Sequence, residues 1–384
     1  MKSKAEIVII GGGVVGCSIA YHLALSGMTD VVLLERSYHA SGSTGRCGAG
    51  VRQQWGTEMN CRLSSGSCRD LETLAEDLDY PADIEFKQGG YLLVAYTEQQ
   101  VEQFRKNVAL QNSLGITSRL VTPEEAKEIV PHLNIEPLMA ATFYQRDGHA
   151  NPFHVTQAYA DAAKRLGVEI NLYTNVTDII TDQGRVTGVK TDKGDISCRV
   201  VVDAAGGQAK LIAEMAGVEL PSYSERHQIL VTEPVEPMQG PMVMSFHHNI
   251  YCQQTPHGSF IMGLGNPAEI KGQEVRSSWL FLKEMAAIIT DILPPLKDLR
   301  IVRQWAGLYH LTPDKSPILG SAPELPGFEM ALGFSGHGFM IAPMTARLMA
   351  AHILGLEHPD LDIISRLSLT RFSSGDLIIE PSVV

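Results

Sequence analysis

Three glycines near the start of the chain have a spacing that favours binding of a phosphate-bearing ligand. Gly11, Gly13 and Gly16 lie in the sequence GGGVVG. In such a segment the first glycine permits a tight turn, the second lets a pyrophosphate approach the backbone, and the third lets a helix pack closely on a strand. A carboxylate about 20 residues later can accept hydrogen bonds from an adenosine ribose. The pattern predicts dinucleotide contacts from Gly11, Gly13, Val15, Gly16, Glu35 and Arg36.

Two apolar strands and one helix are expected to position these residues. The run Ala5–Ile10 is apolar and rich in β-branched residues, which is typical of a buried parallel strand. Helical spacing extends from Val14 to Ser26, Gly27 marks its end, and a second strand covers Val31–Glu35. This βαβ unit would direct backbone N–H groups of the helix toward phosphates. The alternative is a glycine turn with a purely structural role.

A segment of small and hydroxyl side chains follows, from His39 to Trp55. A simple NAD-binding unit would continue directly with its next helix or strand, so this segment favours FAD, against which a long stretch of backbone can lie. The alternative is a flexible surface loop. The FAD interpretation predicts cofactor contacts from Ser43, Thr44, Arg46, Cys47 and Gly50.

Composition excludes several functional classes. The 384 residues are 44% hydrophobic and 19% charged, as expected for an ordered globular protein of about two domains. A net charge of −12 without a basic run argues against nucleic acid as the main partner. The six cysteines form no CxxC pair, which argues against a cysteine metal site and a thioredoxin-reductase-like role, and favours a reducing compartment.

One apolar run resembles the core of a signal peptide. It covers residues 7–25 and follows Lys2 and Lys4, but the glycines of GGGVVG interrupt it. No other stretch approaches the length of a membrane span. We therefore expect a cytoplasmic protein without a membrane span.

Motifs at both ends of the chain resemble one group of flavoproteins. The sequences GGGVVG and STGR lie in the first part, and GFSGHGFM covers Gly333–Met340. They resemble the D-amino-acid-oxidase-like FAD-dependent oxidoreductases, a family that includes glycine oxidase, sarcosine oxidase and dimethylglycine dehydrogenase. The sequences VRQQ, at Val51–Gln54, and RQWAGLY, at Arg303–Tyr309, are most similar to β subunits of heterotetrameric sarcosine oxidase and of archaeal L-proline dehydrogenase. The resemblance spans essentially the whole chain.

The resemblance implies an α/β fold (α+β overall). A Rossmann-like FAD-binding domain, from residues 1–80, 141–220 and 301–384, would be interleaved with a smaller mixed-sheet substrate-binding domain, from 81–140 and 221–300. It also implies further FAD contacts, from Val176, Gly206, Gly336, His337, Gly338, Phe339 and Met340.

The resemblance also bears on how flavin is attached. Dimethylglycine dehydrogenase-like proteins carry a linking His where this chain has Arg46, and monomeric sarcosine oxidases carry a linking Cys where it has Gly307. Neither nucleophile is present, so we expect non-covalent FAD. The His that links FMN in heterotetrameric sarcosine oxidase aligns with Pro152, with His149 and His154 nearby. A covalent FMN is therefore not expected, whereas a non-covalent FMN at an interface with a partner subunit stays open.

The implied chemistry is hydride transfer from the carbon beside an amine nitrogen to flavin N5. The resulting imine is hydrolysed by water, and the protein holds a neutral amine in a dry site. Candidate catalytic residues are His227, Tyr251 and His337. The alternative for each is a surface or hydrogen-bonded core residue.

The sequence does not decide which residue would bind the carboxylate of an amino acid. Glycine oxidase-like enzymes use an Arg where this chain has Tyr309, and monomeric sarcosine oxidases use a Lys where it has Met340. A carboxylate needs a cation or several donors, which Arg52, Lys315 or Arg46 could supply. The substrate would be a small amino acid such as sarcosine, proline or glycine, or one with its negative charge elsewhere, such as an opine or hydroxyproline.

Two other classes of function compete with an amine dehydrogenase or oxidase. One is a flavin-bearing subunit that transfers electrons or organises a multi-subunit amine or opine dehydrogenase without a substrate site of its own. The other is a flavin-dependent RNA-modifying enzyme, which the net charge of −12 disfavours. Reduction of the flavin by an amine in the isolated chain would exclude the first, and salt-sensitive RNA binding would support the second.

Overall fold

The structure is a computed structural model that describes residues 1–382, which form 19 strands and 10 helices. The strands are β1 Ile7–Ile10, β2 Val31–Leu34, β3 Gly50–Val51, β4 Tyr91–Ala95, β5 Arg119–Val121, β6 Ala140–Tyr144, β7 Gly148–His149, β8 Glu169–Asn171, β9 Val176–Asp182, β10 Arg185–Thr191, β11 Ile196–Ser197, β12 Val200–Asp203, β13 Tyr223–Pro234, β14 Met242–Ser245, β15 Ile250–Gln254, β16 Ser259–Leu264, β17 Ile301–Leu311, β18 Ile318–Ser321 and β19 Phe328–Leu332. The helices are α1 Val14–Leu25, α2 Glu58–Asp77, α3 Glu98–Ser113, α4 Pro123–Ile129, α5 Pro152–Arg165, α6 Ala209–Met215, α7 Trp279–Ile292, α8 Gly338–Leu354, α9 Asp362–Arg366 and α10 Arg371–Ser374.

The first sheet contains the predicted βαβ unit. Its six strands lie in the order β18, β19, β12, β1, β2, β8, and all neighbours are parallel except the edge pair β18 and β19. Every residue of β1 and β2 is buried, as the continuous apolar runs predicted. Helix α1 connects these strands, begins after Gly13, and packs against α5 and α8. The predicted strand–helix–strand unit is confirmed.

The second sheet has eight strands in the order β17, β13, β16, β15, β14, β4, β6, β5. Only β4 and β14 run parallel in it. Helix α7 buries Phe281, Met285 and Ile289 in the apolar cluster on one face, whereas Tyr91 and Tyr251 lie in a separate cluster. A mixed-sheet unit beside a Rossmann-like unit is thus confirmed as the fold class.

Strand β17 lies in the eight-stranded sheet although the sequence assigned 301–384 to the FAD-binding domain. It pairs with β13 along nearly its whole length, from Tyr223 opposite Leu311 to Thr232 opposite Ile301. This pairing joins residues about 80 positions apart in the chain, so local sequence patterns do not indicate which sheet contains β17. Within residues 1–382, no helix combines the length and the apolar character that crossing a membrane requires.

Candidate functional site

A cleft of about 530 Å³ lies where the carboxyl ends of β1, β2, β12 and β19 meet β17. Ligands bind at this edge of parallel sheets because the strand ends leave backbone groups and loops exposed there. The cleft brings together most of the predicted cofactor residues, namely Gly11, Gly13, Val15, Glu35, Arg36, Ser43, Thr44, Arg46, Cys47, Gly206, Gly336, Gly338 and Phe339.

Five predicted cofactor residues lie outside this cleft. Gly16 lies beneath it, where a Cβ would collide with the carbonyl oxygen of Gly11. Val176, the first residue of β9, is buried in an apolar cluster and lines neither cavity. The other three, Gly50, His337 and Met340, line a second, smaller cavity.

The glycine turn fits a dinucleotide. Gly11 has φ of 117°, and a Cβ there would collide with the carbonyl oxygen of Ala204. A Cβ on Gly13 would meet only Thr44 Oγ1, at 3.1 Å, because the rest of its surroundings are open. The backbone at Gly13 therefore faces the cleft without obstruction, as the approach of a pyrophosphate requires.

Glu35 is held by its neighbours at the end of β2. Its Oε2 accepts a hydrogen bond from Gly12 N at 2.8 Å, and its Oε1 accepts from Ser37 N at 2.7 Å and from Ser41 Oγ at 3.3 Å. The carboxylate therefore has a fixed place on the cleft wall, where it can accept hydroxyl donors of a ribose.

The segment after Glu35 connects the two sheets and is not a free surface loop. Thr44 Oγ1 accepts a hydrogen bond from Val14 N at 3.2 Å, at the start of α1. Ser43 Oγ donates to the carbonyl of Leu308 at 2.8 Å, and Arg46 Nη1 donates to the carbonyl of Ala306 at 3.0 Å. The loop is thus bound at one side to the phosphate-facing helix and at the other to β17.

Arg46 and Gly307, the two positions compared above for a covalent flavin link, face each other. A Cβ on Gly307 would lie 3.1 Å from the Cβ of Arg46. Pro152 is the first residue of α5, which Asn151 caps by accepting from two backbone N–H groups. His154 is hydrogen-bonded to Tyr80 Oη at 2.9 Å. None of Arg46, Gly307 and Pro152 provides a nucleophile.

Three aromatic side chains form a parallel group in the part of the cleft that β13, β15 and β17 contribute. The ring of His227 stacks on that of Tyr309, with centroids 4.1 Å apart and planes 6° apart. His227 Nε2 lies 3.2 Å from Tyr251 Oη. All three side chains line the cleft, and Tyr251 and Tyr309 line the second cavity as well.

Burial sets the charge of this group. It lowers the pKa of His227 to about 4, despite the opposing effect of Glu269. It also raises the pKa of Tyr251 well above its usual value and raises that of Tyr309. Near neutral pH the imidazole and both phenols are therefore uncharged, and the imidazole can accept a hydrogen bond from a ligand.

The second cavity has a volume of about 70 Å³ and contains a buried cation. Arg52 is 2% exposed, and its guanidinium carbon lies 3.7 Å from the ring centroid of Trp55. Its Nη atoms donate to the carbonyls of Gln54, at 3.1 Å, and Ser382, at 2.5 Å, while Nε has no partner. Within residues 1–382 no carboxylate forms an ion pair with it. A buried cation in this state favours an anionic ligand.

His337 lies beside this cation. It is 2% exposed, neither ring nitrogen has a partner, and its ring centroid is 4.8 Å from that of Trp55. Burial and the charge of Arg52 lower its pKa to about 3. Of the two other candidates for the carboxylate contact, Arg46 lines the larger cleft, whereas Lys315 lies in the turn after β17 and lines neither cavity. The structure thus places Arg52 at a cavity and Lys315 away from both.

Sequence reasoning missed two cleft residues on β17. Tyr309 was considered only as the replacement of an arginine, although it stacks on His227. His310 is 4% exposed, and its Nε2 is hydrogen-bonded to Ser222 Oγ at 2.8 Å. Its Nδ1 has no partner among residues 1–382. Their signal would have been the register between β13 and β17, which one sequence does not show.

Comparison with known proteins decides which family this cleft represents. The model of the DAO family, described as FAD dependent oxidoreductase, matches residues 6–352. The chain belongs to this family. The protein is therefore an FAD-dependent oxidoreductase, and the resemblance noted in the sequence is confirmed.

Similar proteins cover the chain almost completely. The sarcosine oxidase subunit beta of Arthrobacter sp is 33% identical over 99% of this chain and 94% of its own length. The crystal structure of L-proline dehydrogenase from P. horikoshii is 40% identical, covers 98% of this chain and 100% of that one, and has a TM-score of 0.92. Glycine oxidase from Geobacillus kaustophilus, 24% identical, covers 96% of this chain and 99% of that one with a TM-score of 0.87, and shares the fold.

Proposed function

We propose that this FAD-dependent oxidoreductase oxidises the C–N bond of a small amino acid, such as sarcosine, proline or glycine. FAD supplies the acceptor for the hydride from the carbon beside nitrogen, and water hydrolyses the imine product. The observation that carries the proposal is Arg52, a buried cation that no carboxylate of residues 1–382 pairs with, in a cavity that shares walls with the FAD cleft. The names of the Arthrobacter and P. horikoshii relatives support this substrate class.

Arg52 would bind the substrate carboxylate. Its Nε has no partner, and a guanidinium can donate from Nε and a neighbouring Nη to both oxygens of one carboxylate. A cavity of about 70 Å³ admits a small side chain and excludes bulky ones. His337, with both ring nitrogens unpartnered, would provide a further contact at the same cavity.

His227 and Tyr251 would hold the amine. The neutral imidazole, whose pKa of about 4 makes it too weak a base to deprotonate an ammonium group, can accept a hydrogen bond from the N–H of a neutral amine. The Tyr251 hydroxyl, 3.2 Å from Nε2, would fix the direction of that hydrogen bond. Tyr309 keeps the imidazole plane fixed by stacking at 4.1 Å. Together these side chains would keep the amine neutral and exclude water, as hydride loss from the neighbouring carbon requires.

FAD would be held without a covalent bond by the residues that line the larger cleft. Arg46 and Gly307, at the two linking positions, offer no nucleophile. We also infer the domain division given above, with residues 1–80, 141–220 and 301–384 binding FAD and residues 81–140 and 221–300 serving the substrate, and with β17 shared between the two sites. Residues of β17 line the FAD cleft although the strand belongs to the eight-stranded sheet.

A partner subunit is part of the proposal. The Arthrobacter relative is named as a subunit, which supports a hetero-oligomeric assembly. An FMN at the interface with such a partner would be non-covalent, because Pro152 begins α5 and cannot form a flavin bond. The second candidate function is the electron-transferring or organising subunit, which the same relative's name also fits.

The test uses the purified chain under anaerobic conditions. Its flavin is first identified after acid precipitation, and FAD in the supernatant is expected. Sarcosine, L-proline, glycine, hydroxyproline and an opine are then added separately while absorbance near 450 nm is recorded. Bleaching by one of them supports the proposed enzyme. A chain that retains FAD but is bleached by none of these compounds would instead support the electron-transferring subunit.

A further inference from the structure

The segment 378–382 contacts Arg52, which lines the second cavity, and hydrogen bonds hold the segment in place. Glu380 and Ser382 are each 2% exposed, although they alternate with the exposed residues Ile379 and Pro381. Glu380 N donates to the carbonyl of Asp314 at 3.2 Å, and Ser316 Oγ donates to the carbonyl of Ile378 at 2.8 Å. The segment is thus fixed by hydrogen bonds, and it reaches the cavity only through its contact with Arg52.

Glu380 is the centre of this attachment. Its Oε1 accepts from Gly56 N at 3.0 Å and from Ser382 N at 2.9 Å. Its Oε2 accepts from Thr57 Oγ1 at 2.7 Å and from Asn60 Nδ2 at 3.0 Å. Four donors satisfy this buried carboxylate. Loss of the carboxylate would leave these donors without a partner in a buried place, which destabilises the fold locally.

Ser382 connects this attachment to Arg52. Its carbonyl accepts from Arg52 Nη2 at 2.5 Å, and its hydroxyl accepts from Asn107 Nδ2 at 3.2 Å. The other constraints on the guanidinium are the carbonyl of Gln54 and the face of Trp55. The plane of the guanidinium, and hence the direction of its free Nε donor, therefore depends on where Ser382 lies.

We propose that the 378–382 segment, fixed by Glu380, is a positioning element that turns the Arg52 guanidinium toward the substrate carboxylate. This inference rests on the proposed function, in which Arg52 binds that carboxylate. Two-point recognition of a carboxylate by arginine is strict in orientation, so a guanidinium that can rotate binds more weakly although its charge is unchanged. The segment thereby determines selectivity for carboxylate-bearing amines.

Glu380→Gln tests this positioning role, because loss of positioning and loss of the negative charge change the affinity for a carboxylate in opposite directions. A glutamine oxygen can satisfy only one of the two donor pairs, so the segment loosens. Removal of a negative charge near Arg52 would by itself strengthen carboxylate binding. Weaker binding in the variant can therefore come only from lost positioning.

The measurement is the dissociation constant of the FAD-loaded protein for pyrrole-2-carboxylate, by calorimetry and by perturbation of the flavin spectrum. Pyrrolidine, which lacks the carboxylate, is titrated in parallel. We expect about a tenfold weaker affinity for pyrrole-2-carboxylate in Glu380→Gln, the loss of about one well-placed hydrogen bond, and unchanged affinity for pyrrolidine. Asn107→Ala removes the hydrogen bond to the Ser382 hydroxyl and leaves the four donors to Glu380 in place, although Gln103 Nε2 also loses its acceptor. It should weaken pyrrole-2-carboxylate binding by a smaller factor, and it tests the positioning role if Glu380→Gln does not fold.

Ser316→Ala is the matched control, because it removes a hydrogen bond from the same segment at Ile378 without touching Glu380 or Arg52. It should lower the melting temperature and leave both affinities unchanged. Equal affinities for pyrrole-2-carboxylate in wild type, Glu380→Gln and Asn107→Ala would overturn the inference. Failure of the wild type to bind this ligand, or full binding by Arg52→Lys, would instead count against the proposed function.

Discussion

The imidazole of His227 lies parallel to the phenol ring of Tyr309, with 4.1 Å between their centroids. The pairing of β13 with β17 produces this contact, because His227 is directly opposite Gly307 and Tyr309 is the diagonal neighbour on the same face. Gly307 has no side chain, which leaves room for Arg46, whose Cβ would lie 3.1 Å from a Cβ at this position. One strand pair therefore holds a buried, neutral base against the cleft.

His227→Asn is expected to slow anaerobic reduction of the flavin by amine about tenfold while FAD stays bound, since a hydrogen bond that orients the amine contributes about 1 kcal/mol. Because burial lowers the pKa of His227 to about 4, the wild-type rate should show no step near pH 6.5 that depends on this residue. Stopped-flow absorbance from pH 5 to 9 measures the reduction rate of the variant and the pH dependence of the wild-type rate. A reduction rate within twofold of wild type would return His227 to a structural role.

Gly13→Val is expected to abolish retention of FAD. A side chain there would occupy the open space beside Thr44 Oγ1 that the pyrophosphate needs. The ratio of absorbance at 450 nm to that at 280 nm after purification should fall to near zero, with the protein still folded by circular dichroism. Gly240→Val is the control, because a Cβ at Gly240 meets nothing within 4 Å and Gly240 lines neither cavity. A yellow, fully loaded Gly13→Val protein would contradict the phosphate-loop assignment.

Local sequence patterns predicted the first unit of the fold well. The glycine spacing and the apolar runs gave the turn at Gly11, the helix from Val14 and the position of Glu35, because these depend on residues close together in the chain. The stack of His227 on Tyr309 and the packing of Ser382 against Arg52 join residues far apart in the chain. They depend on strand register and on packing of the whole fold, so a single sequence carries no direct signal for them.

Arg52→Lys should raise the KM for an amino-acid substrate about 30- to 100-fold, with a smaller change in the limiting rate of flavin reduction. Lysine keeps the charge but loses the paired donors of the guanidinium, and a hydrogen bond to a charged group contributes about 1.5–3 kcal/mol. Lys315→Ala is the comparison, and its KM should equal that of wild type because Lys315 lines neither cavity. A larger rise in KM for Lys315→Ala than for Arg52→Lys would place the substrate carboxylate near Lys315.

Asp203, at the carboxyl end of β12, makes stability depend on pH. Its side chain is fully buried, its Oδ1 accepts from Ala205 N at 3.0 Å, and its Oδ2 has no partner. Burial raises its pKa to about 8, opposed only by that hydrogen bond. The folded protein therefore holds this proton across a range in which the unfolded chain, with an ordinary carboxyl pKa near 4, has released it.

Stability should accordingly fall as pH rises from about 5 to about 8, by on the order of 1 kcal/mol per pH unit from this group. Asp203→Asn removes the titration, so its melting temperature should fall by several degrees less than that of wild type over the same range. Asp182→Asn, at an exposed position on β9, is the control and should follow the wild type. If the melting temperatures of wild type and Asp203→Asn fell equally with pH, Asp203 would be ionised in the folded protein, with a hydrogen-bond donor at Oδ2.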